Sequence, residues 1–405
     1  MLSTPLILKD KLENSASRND LEGASADGQR ATGPGQRPFF RGKIPALDGV
    51  RGLAVFMVLL SHFLLRDFWG SDKWYNLAQA GWLGVDLFFV LSGFLITGIL
   101  LDSKDSPHYW SSFYKRRLLR IFPLYYFVVI VTWLTVIFIE KAPDRLQGYD
   151  SFAWFFGFAP NIAMALKNGW LYHSHVFNLN HLWSLAVEEQ FYLLWPLTVR
   201  LLPVRWLAAW CVFLLAIATP LRFWVAGDAG VDSVASYVLP FTRMDGLAAG
   251  SFLAVFFRLD LHSFVPFDKW IARIVFAWTG WQIYQIFLHG TEMRLYNLSA
   301  IFFASLLYLA LNTDRSALVR RFCENAFLRD LGKYSYGLYV FHHMFLYAWE
   351  KGFGDRLLAG GLHPALAQSI YVVLAFAGTY LLARLSWALI EKPFLRQKEL
   401  WAKRE

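Results

Sequence analysis

The stretch Leu47-Asp48-Gly49-Val50-Arg51-Gly52-Leu53-Ala54-Val55-Phe56-Met57-Val58-Leu59-Leu60-Ser61-His62 opens the first long apolar run of the chain, and besides Asp48 at its start it carries two groups that such a run ordinarily excludes, Arg51 and His62. The run extends over 46–67, enough to cross a bilayer core about 30 Å thick with about 20 residues of helix. Titratable side chains inside a span are expensive and by default mark function. Arg51 and His62 are eleven residues apart. At about 100° per residue that separation returns to within about 20° of the same helix face and climbs about 16 Å. One face therefore holds a guanidinium near one end and an imidazole deep in the membrane. A positive-inside anchor and a hydrogen-bonded packing histidine would give the same spacing, and the run by itself does not choose.

The rest of the chain has the same apolar character. Of the 405 residues, 56% are hydrophobic, 18% aromatic and only 17% charged, against roughly 25% charged in soluble domains. Apolar segments lie near 46–67, 80–101, 119–141, 185–203, 205–226, 237–258, 270–289, 294–312, 332–351 and 366–390. An eleventh, 151–166, is short and holds Pro160 and Asn161. Ten spans with a cytoplasmic start put Arg116, Arg117, Arg200, Arg205, Arg258, Lys269, Arg320, Arg321 and the basic stretch from Lys392 to Arg404 inside. The loops then left outside, around 68–79, 227–236 and 352–365, carry few cations and several aspartates. A span over 151–166 would invert everything after it, so this segment is expected as a re-entrant or interfacial helix. The fold expectation is an all-α polytopic membrane protein of about ten transmembrane helices plus that one extra helix. The net charge of +9 is explained by membrane orientation, so no nucleic-acid partner is expected. Cys211 sits in an apolar run and Cys323 in a basic loop read as cytoplasmic, which argues against a disulfide between them.

Residues 1–40 differ: Leu12 to Pro38 is rich in Ser, Gly, Ala, Asn and charge, and the segment reads as a disordered cytoplasmic tail without the apolar core of a signal peptide. Residues 41–396 form the transmembrane domain, and 397–405 a basic cytoplasmic tail.

Further chemistry-bearing residues follow in order. In the second span Gly84 and Gly93 suit close helix packing, while Asp86 either rests in the interface or orients an imidazole through its second N–H. The cluster Tyr114-Lys115-Arg116-Arg117-Leu118-Leu119-Arg120 enters the third span from the cytoplasm. It serves in part as an anchor, yet Arg117 and Arg120 are helical neighbours, and paired guanidinium forks suit a phosphate-bearing ligand. The stretch from Asn180 to Tyr192 contains His181, Trp183, Ser184, Glu188 and Glu189. A capped helix start explains one carboxylate better than two, and the stretch is a candidate lining for an acceptor cavity. Arg243 and Asp245 in an apolar run read as a buried ion pair. Tyr334 to His343 adds three phenols and two histidines, of which at least one is expected to face the bundle. No His/Cys cluster has metal-ligand spacing, so no metal is expected.

These pieces together resemble the membrane acyltransferase-3 family. The similarity rests on Leu47 to Ala54 with His62, on Gly84-Val85-Asp86-Leu87-Phe88-Phe89-Val90-Leu91-Ser92-Gly93-Phe94, and on Arg117-Leu118-Leu119-Arg120-Ile121-Phe122-Pro123. Trp183 to Tyr192, Arg243-Met244-Asp245, Ser335-Tyr336-Gly337-Leu338-Tyr339 with His342, and Glu391-Lys392-Pro393-Phe394 continue it in the same order, over roughly 44–396. The resemblance implies an integral membrane O-acyltransferase acting on sugars of lipopolysaccharide, peptidoglycan, exopolysaccharide, Nod factors or antibiotics. It implies Arg51 and His62 as the main functional pair and Arg117 and Arg120 as paired arginines. Many relatives add a C-terminal SGNH-type hydrolase domain; this sequence ends soon after Phe394 and is expected to resemble the short form, working alone or with a separate partner.

The functional expectation joins both readings. The donor is an acyl-coenzyme A, acetyl-coenzyme A above all, docking from the cytoplasm with its phosphates on Arg51, Arg117 and Arg120. His62 then acts either as general base on an acceptor hydroxyl or as a transient acyl carrier, with Asp86 or Glu188 fixing its tautomer. His181, Trp183, Tyr192, Tyr336 and His342 are the candidate contacts to a glycan or lipid-linked saccharide. The expected location is the cell inner membrane with both termini cytoplasmic. A transporter or flippase of a glycan or lipid intermediate would also show many spans and buried charges, but paired broken helices in the two halves are not evident.

Overall fold

The computed structural model describes residues 44–64, 75, 79–140, 149–171, 177–227, 233–259, 268–289, 295–311 and 317–402. The tail at 1–40, most of the loop at 68–79 and the last residues of the basic stretch lie outside them.

The first apolar run forms α1 (Pro45–Phe63), with Pro45 in the first turn, where a missing N–H is harmless, and Asp48 at the positive end of the helix dipole. After a 3₁₀ turn at Ala80–Leu83 comes α2 (Gly84–Asp102), then α3 (Tyr109–Thr135), whose first half is the basic cluster. Two short helices follow, α4 (Tyr149–Phe156) and α5 (Pro160–Lys167), and then a 3₁₀ turn at Asn180–Leu182 leads into α6 (Trp183–Leu201). The chain continues through α7 (Val204–Ala226), α8 (Val234–Val238), α9 (Pro240–Arg258), α10 (Asp268–His289), α11 (Leu295–Ala310), α12 (Leu318–Cys323) and α13 (Ala326–Lys333). It ends with α14 (Ser335–Met344), α15 (Leu346–Trp349), α16 (Asp355–Ala359), α17 (Pro364–Ser386) and α18 (Lys392–Ala402). Among the described residues there is no strand.

Five helices among the described residues are long and apolar enough to cross a membrane: Pro45–Phe63, Ala80–Asp102, Tyr109–Ile139, Val204–Ala226 and Pro364–Gln397. They match five of the ten apolar segments. The other segments are helical too, but α6 carries Glu188, Glu189 and Pro196, α9 carries Arg243 and Asp245, and α11 has 16 residues. The segment at 332–351 is divided among the end of α13, α14 and α15. The region 151–166, expected as one re-entrant or interfacial helix, is broken between α4 and α5. Phe158 adopts φ 53° there, and Asn168 at φ 43° closes α5 in the left-handed conformation that Asn tolerates.

Glycines set the closest helix contacts. Gly49 lies against the backbone of Cys323 and Gly52 against that of Leu328, while Gly332 lies against Asp48. A Cβ at any of the three would overlap a backbone carbonyl, so α1 and the α12–α13 segment meet nearly backbone to backbone. Gly93 against Leu247 and Gly250 against Val90 bring α2 and α9 together in the same way.

Two buried ion pairs tie α2, α7 and α9. Arg243 pairs with Asp86, whose other oxygen accepts from Ser299 Oγ at 2.6 Å, and Arg222 Nη1 donates to Asp245 Oδ2 at 2.7 Å. The expected Arg243–Asp245 pair is therefore not formed. Residues two apart on a helix point to nearly opposite faces, so each finds its partner on a different helix. Cys211 and Cys323 are both buried and free.

Candidate functional site

Two cavities sit at opposite ends of α1. The first, about 120 Å³, is enclosed by α1, α2, α3, α6 and α14 and lined by Arg51, Arg117, Arg120, Glu188, Tyr192 and Tyr336, with Phe88, Leu91, Leu95 and Ile121 as apolar walls. Arg51 Nη1 donates to Asp48 Oδ1 at 3.2 Å. The Arg117 guanidinium lies 4.4 Å over the Tyr192 ring, and the Tyr192 hydroxyl hydrogen-bonds to Ser92. Tyr336 donates its hydroxyl to the Ile121 carbonyl at 2.6 Å, which fixes α14 to the face of α3 that carries the arginines. Three guanidiniums facing one lining carboxylate make this a cationic pocket with apolar walls, suited to a ligand that is anionic at one end.

The second cavity, about 530 Å³, is built around four imidazoles and an aromatic wall. His62 comes from the last turn of α1, His181 from the turn before α6, and His342 and His343 from α14. The His62 ring centre lies 5.0 Å from those of His342 and His343, and His181 lies 4.9 Å from His343. His62 Nδ1 is 2.9 Å from the Val58 carbonyl. A carbonyl only accepts, so Nδ1 carries the proton and the lone pair resides on Nε2. His342 is held the same way by the Tyr339 carbonyl at 2.5 Å, and its buried Nε2 has no hydrogen-bond partner among the described residues. Burial, with His343 and His62 nearby, pushes the His181 imidazole well below its usual range and keeps it neutral.

Trp82, Trp170, Trp183, Tyr237 and Tyr296 form the facing wall. Trp183 and Tyr237 are 4.7 Å apart, and Trp82 and Tyr296 5.5 Å. Arg243 lies behind them, 4.1 Å from the Tyr296 ring and 5.2 Å from that of Tyr237. The buried ion pair thus braces this wall. Indole and phenol rings offer flat apolar faces with a polar edge, as the C–H faces and hydroxyls of a sugar ring require.

Arg51, Arg117 and Arg120, expected together on one side of the membrane, line one cavity, and His62, on the same face of α1 as Arg51, lines the other. His181, Trp183 and His342 join His62. Tyr192 and Tyr336, expected as acceptor contacts, line the arginine cavity instead, because α6 and α14 each pass both chambers. Asp86 lines neither cavity; it lies in the first turn of α2 and faces Arg243 of α9. Glu188 belongs to the arginine cavity. Neither carboxylate fixes the tautomer of His62, a role taken by the Val58 carbonyl. His343, Tyr237, Tyr296 and Tyr339 are additional lining residues. The first adjoins His342 and was within reach of the sequence, whereas Tyr237 and Tyr296 lie within the apolar runs at 237–258 and 294–312 with no local signal. Among the described residues no group of three or more His, Cys, Asp or Glu is arranged to hold a metal ion.

Residues 44–384 match the model of a family described as an acyltransferase domain, and the chain belongs to that family. It is 29% identical over 378 residues to the peptidoglycan O-acetyltransferase OatA of Listeria monocytogenes, covering 88% of this chain and 56% of that protein. It is 28% identical over 375 residues to the O-acetyltransferase OatA of Staphylococcus aureus, with 88% and 57% covered. The chain thus spans little more than half the length of these curated relatives. No solved structure matches it.

Proposed function

We propose that this member of the acyltransferase family is a multi-pass inner-membrane O-acyltransferase, most simply an O-acetyltransferase, that carries an acyl group from acyl-coenzyme A to a hydroxyl of a glycan or lipid-linked saccharide. The observation that supports it best is the division of α1 between two adjoining chambers, with Arg51 in the cationic one and His62 in the imidazole one. The relatives named as O-acetyltransferases support the acetyl group and the glycan acceptor. In this reading the chain has ten spans with both termini in the cytoplasm, which puts the arginine chamber on the side where acyl-coenzyme A is made.

In this reading Arg51, Arg117 and Arg120 hold the donor's phosphates. The pantetheine arm extends along α1, whose rise of about 16 Å between Arg51 and His62 suits an extended arm. His62 Nε2 takes the proton of the acceptor hydroxyl as that oxygen bonds to the acyl carbon. The carbon–sulfur bond breaks, and the proton passes from His62 to the departing thiolate, so the products are an ester and free coenzyme A. The aromatic wall stacks the acceptor sugar beside His62.

The test is direct. Purified protein in detergent is titrated with acetyl-coenzyme A by calorimetry and assayed for free thiol release on adding muropeptides or other candidate glycans. Saturable binding and acceptor-dependent thiol release are expected. If neither occurs with any acyl-coenzyme A while vesicles containing the protein accumulate a glycan or lipid intermediate, the transporter reading replaces this one.

A further inference from the structure

The arginine and histidine chambers share two lining residues, Val85 of α2 and Tyr339 of α14. Both are buried, at 7% and 6% exposure. Tyr339 is also anchored. Its hydroxyl bonds to Ser184 Oγ at 2.5 Å and donates to the His181 carbonyl at 3.2 Å, and its ring packs edge-on against Phe88 at 5.9 Å. A side chain held at its tip to the turn that carries His181, and along its ring by α2, cannot swing aside without breaking those contacts. Any group that passes from the arginines to His62 meets this pair.

We infer that Val85 and Tyr339 form the aperture between donor and acceptor chambers and set which acyl chain is transferred. The inference rests on the acyl-transfer reading and adds to it the residues that choose the substrate. An acetyl group adds one methyl beyond the carbonyl, a butyryl group two further methylenes. Hydrophobic pockets discriminate one methylene by roughly 10-fold or more, so a wall fixed by a β-branched side chain and an anchored ring suffices to favour the short chain. Val85→Ala removes two methyl groups at the aperture. Tyr339→Phe keeps the ring and removes both anchors, letting it shift.

The experiment measures ester products from an equimolar mixture of acetyl- and butyryl-coenzyme A by mass spectrometry, for wild type, V85A, Y339F and a control, L91A. Leu91 lines the arginine chamber alone and is likewise buried. V85A is expected to raise the butyryl-to-acetyl product ratio by at least about 10-fold, Y339F to raise it by a smaller factor, and L91A to leave it near the wild-type value. Residual acetyl transfer in each variant shows that it is folded, and a variant without any is replaced by Val85→Ile, which narrows the aperture and should lower the ratio. An unchanged ratio in V85A, or an equal rise in L91A, overturns the aperture. Absence of transfer by the wild-type protein from every acyl-coenzyme A would instead remove the acyl-transfer reading, and the aperture with it.

Discussion

Replacing Asp86 by Asn separates a structural carboxylate from one that works on His62. Asp86 is 4% exposed and its partner Arg243 0%, so the variant leaves a guanidinium in a low-dielectric interior with its direct counterion gone. Breaking a buried pair in this way costs about 3–5 kcal/mol, equivalent to about 10²–10⁴-fold in the folded-to-unfolded ratio. The Asn amide still meets Ser299 Oγ and Arg243, so the loss arises from charge and not from shape. Replacing both partners by apolar residues of similar size, D86L/R243M, removes the stranded charge and is expected to cost less than either single change. The resulting coupling is at least about 2 kcal/mol in a double-mutant cycle. Unfolding of the detergent-solubilised protein by a denaturing-surfactant titration reads the stability, and thiol release per folded molecule reads turnover. D86N should lose stability while keeping turnover within about threefold of wild type, since a residue outside both cavities contributes no interaction specific to the transition state. The opposite outcome, wild-type stability with turnover reduced by about 10² or more, would mean that Asp86 acts on the imidazole and that this account of the ion pair is wrong.

His62→Ala should insert and fold normally while product formation falls by at least about 10²-fold, as mass spectrometry of the acceptor glycan would record; near-normal acylation would remove His62 from the chemistry. Arg120→Ala should weaken acetyl-coenzyme A binding more than Arg120→Lys, which keeps the charge and loses the planar fork, with little change in the apparent affinity for the acceptor; calorimetry and acceptor titrations compare the two. Cysteines introduced at Lys115 and Arg320 should react with an impermeant maleimide only from the cytoplasmic face, with little background because Cys211 and Cys323 are buried; external labelling at 320 would refute the ten-span topology. Gly250→Ala should cost at least about 2 kcal/mol by overpacking, since its Cβ would overlap the Val90 carbonyl; wild-type unfolding behaviour would show that α2 and α9 can separate there without loss.

The helical class and the membrane character were legible because hydrophobic length is a local property: a run such as 80–101 must be helical in a bilayer whatever surrounds it. The same holds for Arg51 with His62 and for Arg117 with Arg120, where one helix's periodicity fixes which side chains share a face. Partnership between helices is another matter. Nothing in Gly84 to Phe94 says whether Asp86 faces an imidazole or a guanidinium, because the answer depends on which helix packs against α2. The packing follows from Gly93 and Gly250 allowing α9 to approach. Likewise Arg243 and Asp245 invite pairing in sequence, and their helical phase sends them apart.

The sequence by itself thus determined an all-helical, apolar chain with a guanidinium and an imidazole on one face of its first helix and a basic cluster at the start of its third. Only the tertiary structure decided that these open into two chambers, that Tyr192 and Tyr336 belong with the arginines, and that Tyr237 and Tyr296 complete the wall opposite the histidines. The physical reason is that a cavity is made by side chains from several helices whose relative rotation is set by close packing between them. Val85 and Tyr339, 254 positions apart in the chain, become the shared wall of both chambers only when α2 and α14 are brought together.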